Sequence, residues 1–242
     1  MARAALPGRL IPPTNWQPAT IVNISQETET AKTFRFRLEE SSTHLPGQHY
    51  VLKLTGPDGY TTSRSYSVAS APDGSNEIEL TIERLPGGEV STFLHDEATM
   101  GDEFQVRGPI GGWFVWTAER PALLIAGGSG VVPLMAMLRY ARQHNVADLV
   151  RLLVSVRAPD RLYYAHELPG PQSTVIYTRA EPSGQSRPPS RINPGDLEPL
   201  LLGDATVYIC GSSPFADAAT DAATSIGVDV GRIRVERFGP TG

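Results

Sequence analysis

The sequence predicts two domains in a chain of 242 residues: an antiparallel β-barrel of about six strands, then an α/β unit built on a parallel sheet. Three observations carry that prediction. Up to about residue 107 apolar and polar residues alternate, the two-residue period of a half-buried strand. From residue 122 onward continuous apolar runs alternate with helical stretches, the order that requires a parallel sheet covered on both faces. Between them lies "WTAER", residues 116–120, with neither period.

Taken in order, residues 1–16 form a basic, proline-containing stretch that reads as an irregular arm. The barrel domain is expected over 17–115, with strands near 20–25, 31–38, 49–54, 63–69, 77–84 and 103–107. "KTFRFRL" directs Phe34, Phe36 and Leu38 to one face, and "EIELTIE" does the same with Ile78, Leu80 and Ile82. "GPDG" and "PDGSN" supply turns, and Val90 to His95 forms one short helix. After a linker at 116–121, the α/β domain is expected over 122–242. Its strands are "ALLIAG", "LVRLLVSV", "TVIYTR" and "TVYICG". "PLMAMLRYARQH" places Leu134, Met137, Leu138 and Ala141 on one face of a helix begun by Pro133. "EPSGQSRPPSRINPGD", 181–196, is too polar and proline-rich to pack as an element.

Composition narrows the function classes. A net charge of -5 gives no general attraction to nucleic acid, and no apolar run reaches the ~18 residues of a membrane span. The single cysteine, Cys210, excludes a disulfide or a four-thiolate cluster within this chain, and the five histidines lack the spacing of a metal site. The N-terminus has no apolar signal-peptide core, which points to a cytoplasmic protein. Lysine occurs only at 32 and 53, so arginine carries nearly all the positive charge, a choice suited to phosphate and carboxylate forks.

Two segments are candidates for phosphate binding. Gly127, Gly128, Ser129 and Gly130 lie between a strand and a helix, where glycines let the backbone approach a pyrophosphate and the helix start offers free N–H groups. The same turn can be a packing device. It departs from the usual dinucleotide fingerprint in lacking a third glycine and an acidic residue at the end of the second strand, where Arg157 stands instead. An arginine there suits a 2'-phosphate. In the first half, "RSYSVAS" puts Arg64 and Tyr66 on one sheet face, a fork for phosphate beside a plane for a flat heteroaromatic ring. "GGEVS", 87–91, again sets glycines ahead of a helix, with the Ser91 hydroxyl free for an anion. On the residues alone, Cys210 reads as a small buried core residue.

With "PGQ" at 46–48, R-x-Y-S at 64–67, "GPIGGWF" at 108–114, G-G-x-G-x-x-P at 127–133, "YICG" at 208–211 and "ERFG" at 236–239, the chain resembles the ferredoxin-NADP reductase superfamily over about residues 17 to 239. The resemblance implies a Greek-key flavin barrel, a Rossmann-like NAD(P)-binding domain, and hydride transfer from NAD(P)H to FAD. Single electrons then pass to a separate acceptor protein, a ferredoxin or an oxygenase component. Arg64 would pair with the flavin pyrophosphate, Tyr66 pack on the isoalloxazine and Ser67 reach N5, with Ile82, Glu83, Gly88, Val90 and Ser91 completing the flavin site. Gly128, Ser129, Gly130 and Pro133 would shape the nucleotide loop, with Arg157, Thr178 and Arg179 near the adenosine and Gly211 and Phe238 nearby. Ser67, Cys210 and Glu236 would form the catalytic set. FAD is expected over FMN because "GGEVS" adds a second phosphate site, and NADPH over NADH because of Arg157 and Arg179. A free-flavin reductase and a non-catalytic flavin-binding subunit remain the alternatives.

Overall fold

The computed structural model describes residues 15–239 except 181, 185 and 186. The expected arm, up to residue 14, therefore lies outside the described residues, as do those three positions of the 181–196 loop. The first sheet contains β1 (Gln17–Thr28), β2 (Ala31–Leu38), β3 (His49–Thr55), β4 (Thr61–Ser67), β5 (Glu77–Glu83) and β6 (Glu103–Ile110), with α1 (Glu89–Asp96) between β5 and β6. Their order is β4-β3-β6-β1-β2-β5, antiparallel throughout. The ends close only where the chain leaving β4 bridges Val68 to Leu80 and Ala69 N–H donates to the Glu79 carbonyl at 2.8 Å. The rest of β4 is a free edge along a seam. Phe34, Phe36, Leu38, Ile78, Leu80 and Ile82 all point inward and are buried, as the two-residue period requires.

The second sheet contains β7 (Ala122–Gly127), β8 (Val150–Val156), β9 (Ser173–Tyr177), β10 (Thr206–Gly211) and β11 (Ile233–Arg237). Helices α2 (Val131–Gln143), the short α3 (Pro194–Leu197) and α4 (Ser213–Ser225) connect them. All strands are parallel in the order β11-β10-β7-β8-β9. The winding reverses between β7 and β10, which opens a crevice at their carboxyl ends.

Helix α2 starts two residues earlier than the sequence suggests. Val131 is its first residue and Pro133 its third, still within the turn whose N–H groups have no intrahelical partner, so proline is tolerated without being the start. Every residue from Val131 to Leu138 is buried, not just one face. The helix has two apolar neighbours: Leu124, Leu152 and Val154 of the parallel sheet, and Ala69, Phe114 and Trp116 of the first half. The expected linker is part of this contact. Trp116 is 2% exposed, its backbone N–H donates to the Pro46 carbonyl at 3.2 Å and its indole N–H to the Arg120 carbonyl at 2.9 Å.

Polar groups lock the same seam. Arg139 of α2 donates to the Ala69 carbonyl at 3.0 Å, to Glu79 of β5 at 2.9 Å and to Glu167 at 2.5 Å, and its guanidinium lies 4.9 Å from the Tyr164 ring centre. Burial opposes its charge, but the hydrogen-bonded Glu167 with Glu79 outweighs it and raises its pKa. Tyr164 joins the seam through its N–H to Glu27 at 2.9 Å and its hydroxyl to Thr81 at 2.6 Å. Arg139→Met removes one partner from each of two largely buried carboxylates, Glu79 keeping Arg35 and Glu167 keeping Arg142, and is expected to cost ~1.5 to 3 kcal/mol. Arg37→Met breaks only the exposed pair with Glu77 and should cost less than ~1 kcal/mol. Urea midpoints of the two variants check this, and equal midpoints reject it.

Candidate functional site

Four strand ends of the parallel sheet bring most of the expected nucleotide residues to one edge. The turn Gly127–Gly130 continues from β7, and close contacts dictate glycine at three positions here. A Cβ on Gly130 would lie 2.1 Å from the Cys210 carbonyl oxygen, and one on Gly127 2.5 Å from the Phe215 ring. One on Gly211, after Cys210, would lie 2.7 Å from the same ring. Gly130 thus supplies the close helix-to-strand approach that the sequence reading found missing, made against β10. Gly128 is different: exposed, with φ +55° and open space where a Cβ would sit, it is held by conformation and faces the crevice. Ser129 stands beside it at intermediate exposure.

At the ends of β8 and β9, Arg157 and Arg179 are both exposed and adjacent, the Arg179 N–H donating to the Arg157 carbonyl at 3.0 Å. Thr178 N–H donates to the Val156 carbonyl at 2.9 Å. Among the described residues neither guanidinium forms an ion pair, and Asp160, three residues after Arg157, pairs with Arg161 at 3.3 Å.

Cys210 and Glu236 are register partners across β10 and β11. Burial pushes the Cys210 thiol well up, and Glu236 adds to the shift, so this sulfur is a neutral packing group and not a thiolate nucleophile. Burial also raises the Glu236 carboxyl from 4.5 to about 7, and its Oε2 is buried without a hydrogen-bond partner. Phe238 N–H donates to the Gly211 carbonyl at 2.9 Å, and the ring packs partly buried on the α2 core.

On the barrel, Arg64 pairs in register with Leu52, Tyr66 with Tyr50 and Ser67 with His49. Leu52 and Tyr50 point into the barrel, so Arg64 and Tyr66 lie on the face that the β4–β5 seam opens to solvent. The Arg64 guanidinium is exposed and donates only to the Ser63 carbonyl at 2.8 Å and the Thr62 hydroxyl at 3.4 Å. Burial raises the Tyr66 hydroxyl to about 12. Ser67 is 8% exposed, and among the described residues its hydroxyl makes no hydrogen bond within the chain. Gly87, Gly88, Glu89, Thr92 and Phe93 at the start of α1 line a shallow groove of about 620 Å³ with Leu54.

Four expected contacts take another form. The Ser91 hydroxyl is engaged internally, donating to the Gly88 carbonyl at 3.1 Å and accepting from Leu85 N–H at 3.2 Å; it braces the turn and is not free for an anion. The Ile82 and Val90 side chains are buried in the barrel core, which leaves only their backbone for a ligand, and the Ile82 carbonyl already accepts from His95. Glu83 hydrogen-bonds the Tyr163 hydroxyl and helps raise its pKa. Sequence reading missed His49, which faces the same way as Ser67 and is kept neutral by burial; a lone polar residue at the head of a strand carries no periodic signal.

Glu236 makes stability depend on pH in an unusual direction. Its folded pKa is raised, so its contribution is complete below its unfolded value of 4.5 and is lost as pH rises toward 7. Glu236→Gln should flatten that slope, and melting temperatures of the cofactor-free protein between pH 5 and 7 check it; parallel wild-type and variant curves would count against a buried carboxyl.

Comparison with known proteins gives two family models in chain order, an oxidoreductase FAD-binding domain over residues 18–115 and an oxidoreductase NAD-binding domain over residues 124–221. The glycine betaine monooxygenase reductase subunit of Chromohalobacter salexigens is 30% identical over 238 residues, 91% of this chain and 63% of that protein. The 2-halobenzoate 1,2-dioxygenase electron transfer component of Burkholderia cepacia is 28% identical over 234 residues, 91% of this chain and 67% of that one. The chain thus spans a little under two thirds of the first of these relatives. In fold it is similar to the FAD/NAD-binding domain of nitric oxide dioxygenase from Vibrio cholerae, with a TM-score of 0.80 at 24% identity, covering 93% of this chain and 99% of that one. No helix among the described residues is long and apolar enough to cross a membrane. The two matched models cover the barrel and the parallel-sheet domain in succession, and the chain belongs to the ferredoxin-NADP reductase superfamily of FAD- and NAD-binding oxidoreductases.

Proposed function

We propose that this protein is a flavin-dependent NAD(P)H reductase whose electrons leave, one at a time, to a separate acceptor protein such as a ferredoxin or an oxygenase component. One observation carries the reading: three polar groups on the two sheets lack the partner their charge or burial calls for. Among the described residues Arg64 has no carboxylate, the Ser67 hydroxyl has no hydrogen bond, and Glu236 has a buried orphan oxygen. Ser67 leads within two residues to Ala69, whose carbonyl Arg139 of α2 holds. That helix begins at Gly130, against Cys210. The polar groups fit FAD at the barrel seam and a nicotinamide nucleotide at the crevice. The names of the related reductase subunits support the same reading.

A flavin, when bound, supplies hydride acceptance and one-electron donation. The chain supplies placement. Arg64 forks an anionic phosphate, the exposed turn at Gly87–Gly88 leaves room for a second, and the Tyr66 ring offers a flat apolar face. The Ser67 hydroxyl can both donate and accept, so it serves a ring nitrogen before and after that nitrogen gains a proton. The N-terminus of α2 and Gly128 receive a pyrophosphate, while the Arg157 and Arg179 pair suits an adenosine 2'-phosphate. Glu236, near neutrality, can hold or release a proton at the nicotinamide end of the crevice.

The experiment separates holding from chemistry. Arg64→Ala should lose flavin on dialysis. Ser67→Ala should keep it yet slow stopped-flow flavin reduction about ten- to a thousand-fold, the effect of a well-placed hydrogen bond worth ~2 to 4 kcal/mol. Full flavin occupancy in the first variant, or a wild-type rate in the second, removes that residue from its role. For the electron donor, kcat/KM should favour NADPH over NADH, and the preference should shrink in Arg179→Ala; a preference for NADH returns both arginines to structural roles.

A further inference from the structure

The chain leaving β4 is held by a different element at each residue. Val68 N–H donates to the Gln48 carbonyl at 3.0 Å and Ala69 N–H to the Glu79 carbonyl at 2.8 Å, while the Ala69 carbonyl accepts from Arg139 at 3.0 Å. Ser70 is held twice. Its hydroxyl accepts from Glu79 N–H at 3.1 Å, and its carbonyl lies 3.1 Å from His44 Nε2. His44 comes from the loop 39–48 between β2 and β3, is 2% exposed, and belongs neither to the Arg139 clamp nor to the glycine turns.

That loop is pinned at several points. Ser42 N–H donates to the Ser75 carbonyl at 3.0 Å. The buried Gln48 side chain accepts from Leu45 N–H at 2.7 Å and donates to the Gly111 carbonyl at 2.6 Å. Within the loop, His44 Nδ1 lies 2.8 Å from the Ser42 hydroxyl, which lies 2.9 Å from the Tyr50 hydroxyl, and all three side chains are buried. The direction of each bond follows from the acceptor at the end. A carbonyl only accepts, so His44 Nε2 carries the proton and donates to Ser70. Burial keeps the ring neutral against the opposing pull of the Ser70 carbonyl and Asp73, so Nδ1 accepts from Ser42. Tyr50, kept protonated by burial, then donates to Ser42. One arrangement of protons satisfies every member, and a fully satisfied buried network is rigid.

The ends of this chain of hydrogen bonds fall on either side of Tyr66 and Ser67. Tyr50 is the register partner of Tyr66, and its ring is wedged against β6, where a Cβ on Gly108 would lie 2.4 Å from it. Ser70, at the other end, stands three residues beyond Ser67. We propose that Tyr50, Ser42 and His44 form a positioning device for the flavin ring, fixing the Tyr66 plane from one end and the Ser67 hydroxyl from the other. The assignment rests on the reductase reading above. His44 is a positioning residue: it acts through Tyr66 and Ser67 and touches no cofactor itself.

The test uses the flavin-loaded protein. Its imidazole nitrogen NMR shifts should show His44, identified by its loss in His44→Gln, as the neutral tautomer protonated at Nε2; a charged ring, or one protonated at Nδ1, overturns the proposal. His44→Phe keeps a ring and removes both hydrogen bonds, whereas His44→Gln leaves an amide able to reach the Ser70 carbonyl. His44→Phe should slow stopped-flow flavin reduction about ten- to a hundredfold, the effect of a misplacement of ~1 Å. The fluorescence of protein-bound flavin should rise as the quenching Tyr66 ring loosens, and His44→Gln should recover most of both properties. If His44→Phe does not fold, Tyr50→Phe, which removes one hydroxyl, should move rate and fluorescence in the same directions by smaller factors. Because the effect passes largely through Ser67, adding His44→Phe to Ser67→Ala should slow reduction less than about threefold further. Wild-type rate and fluorescence in His44→Phe overturn the proposal, as do effects that multiply in the double variant. A wild-type rate in Ser67→Ala counts against the role given to Ser67 in the reductase reading, and the fluorescence of His44→Phe then decides the positioning device by itself.

Discussion

The Arg139 clamp is the constraint on which the rest of the molecule depends. Its three acceptors come from the end of β4, from β5 and from the segment after β8, so one guanidinium sets the angle between barrel and parallel sheet. Neither sheet contains a complete site. On the proposed reading the barrel would offer a phosphate fork, a ring plane and a hydroxyl, and the parallel sheet a helix N-terminus and two arginines. Chemistry between two bound groups requires their reacting atoms within about 3 to 3.5 Å of each other, a tolerance that a flexible joint would not meet. The seam is accordingly built as core. Trp116 and the whole first half of α2 are buried in it, and the Glu27–Thr33–Thr81–Tyr164 hydrogen bonds close a ring across it.

A second constraint works at shorter range. Helix α2 must start hard against β10 for its free N–H groups to point into the crevice, and the 2.1 Å separation between a hypothetical Gly130 Cβ and the Cys210 carbonyl shows how little space remains. The same contact explains why residue 210 is small and buried. Cysteine fits there as a compact apolar group, and its raised pKa argues that its influence on a bound nucleotide is one of shape.

Much of the fold was legible in the sequence, because local period determined it. Strands β2 and β5 alternate without interruption, and a two-residue period leaves no choice of face once one side is apolar. The parallel strands were equally clear from their continuous apolar runs. What period cannot express is contact between distant segments. Trp116 lies in a stretch without periodicity and read as linker, yet it fills the interface. Pro133 looked like a helix start because proline is favoured in the first turn, whereas the true start follows from where Gly130 meets β10. Ser91 looked free because its partners, the Gly88 carbonyl and the Leu85 N–H, are backbone groups that any sequence carries. The shared sheet face of Arg64 and Tyr66 and the adjacency of Arg157 and Arg179 were legible because the strand alternation and strand-end positions that bring them together are themselves encoded locally.

The distribution of unsatisfied groups connects stability to function. Among the described residues only two buried side-chain atoms lack a hydrogen bond, Arg107 Nε and Glu236 Oε2. A buried carboxyl without a partner is costly, and here it is tolerated by moving its pKa to about 7 instead of remaining charged. A core position chosen for stability alone would carry glutamine or an apolar residue. Glutamate here stands beside a neutral thiol toward the carboxyl end of β11, and burial moves its carboxyl toward neutrality. Burial of its own carboxyl is what lets this group titrate near neutrality, while Gly128, Arg157 and Arg179 at the neighbouring strand ends stay exposed.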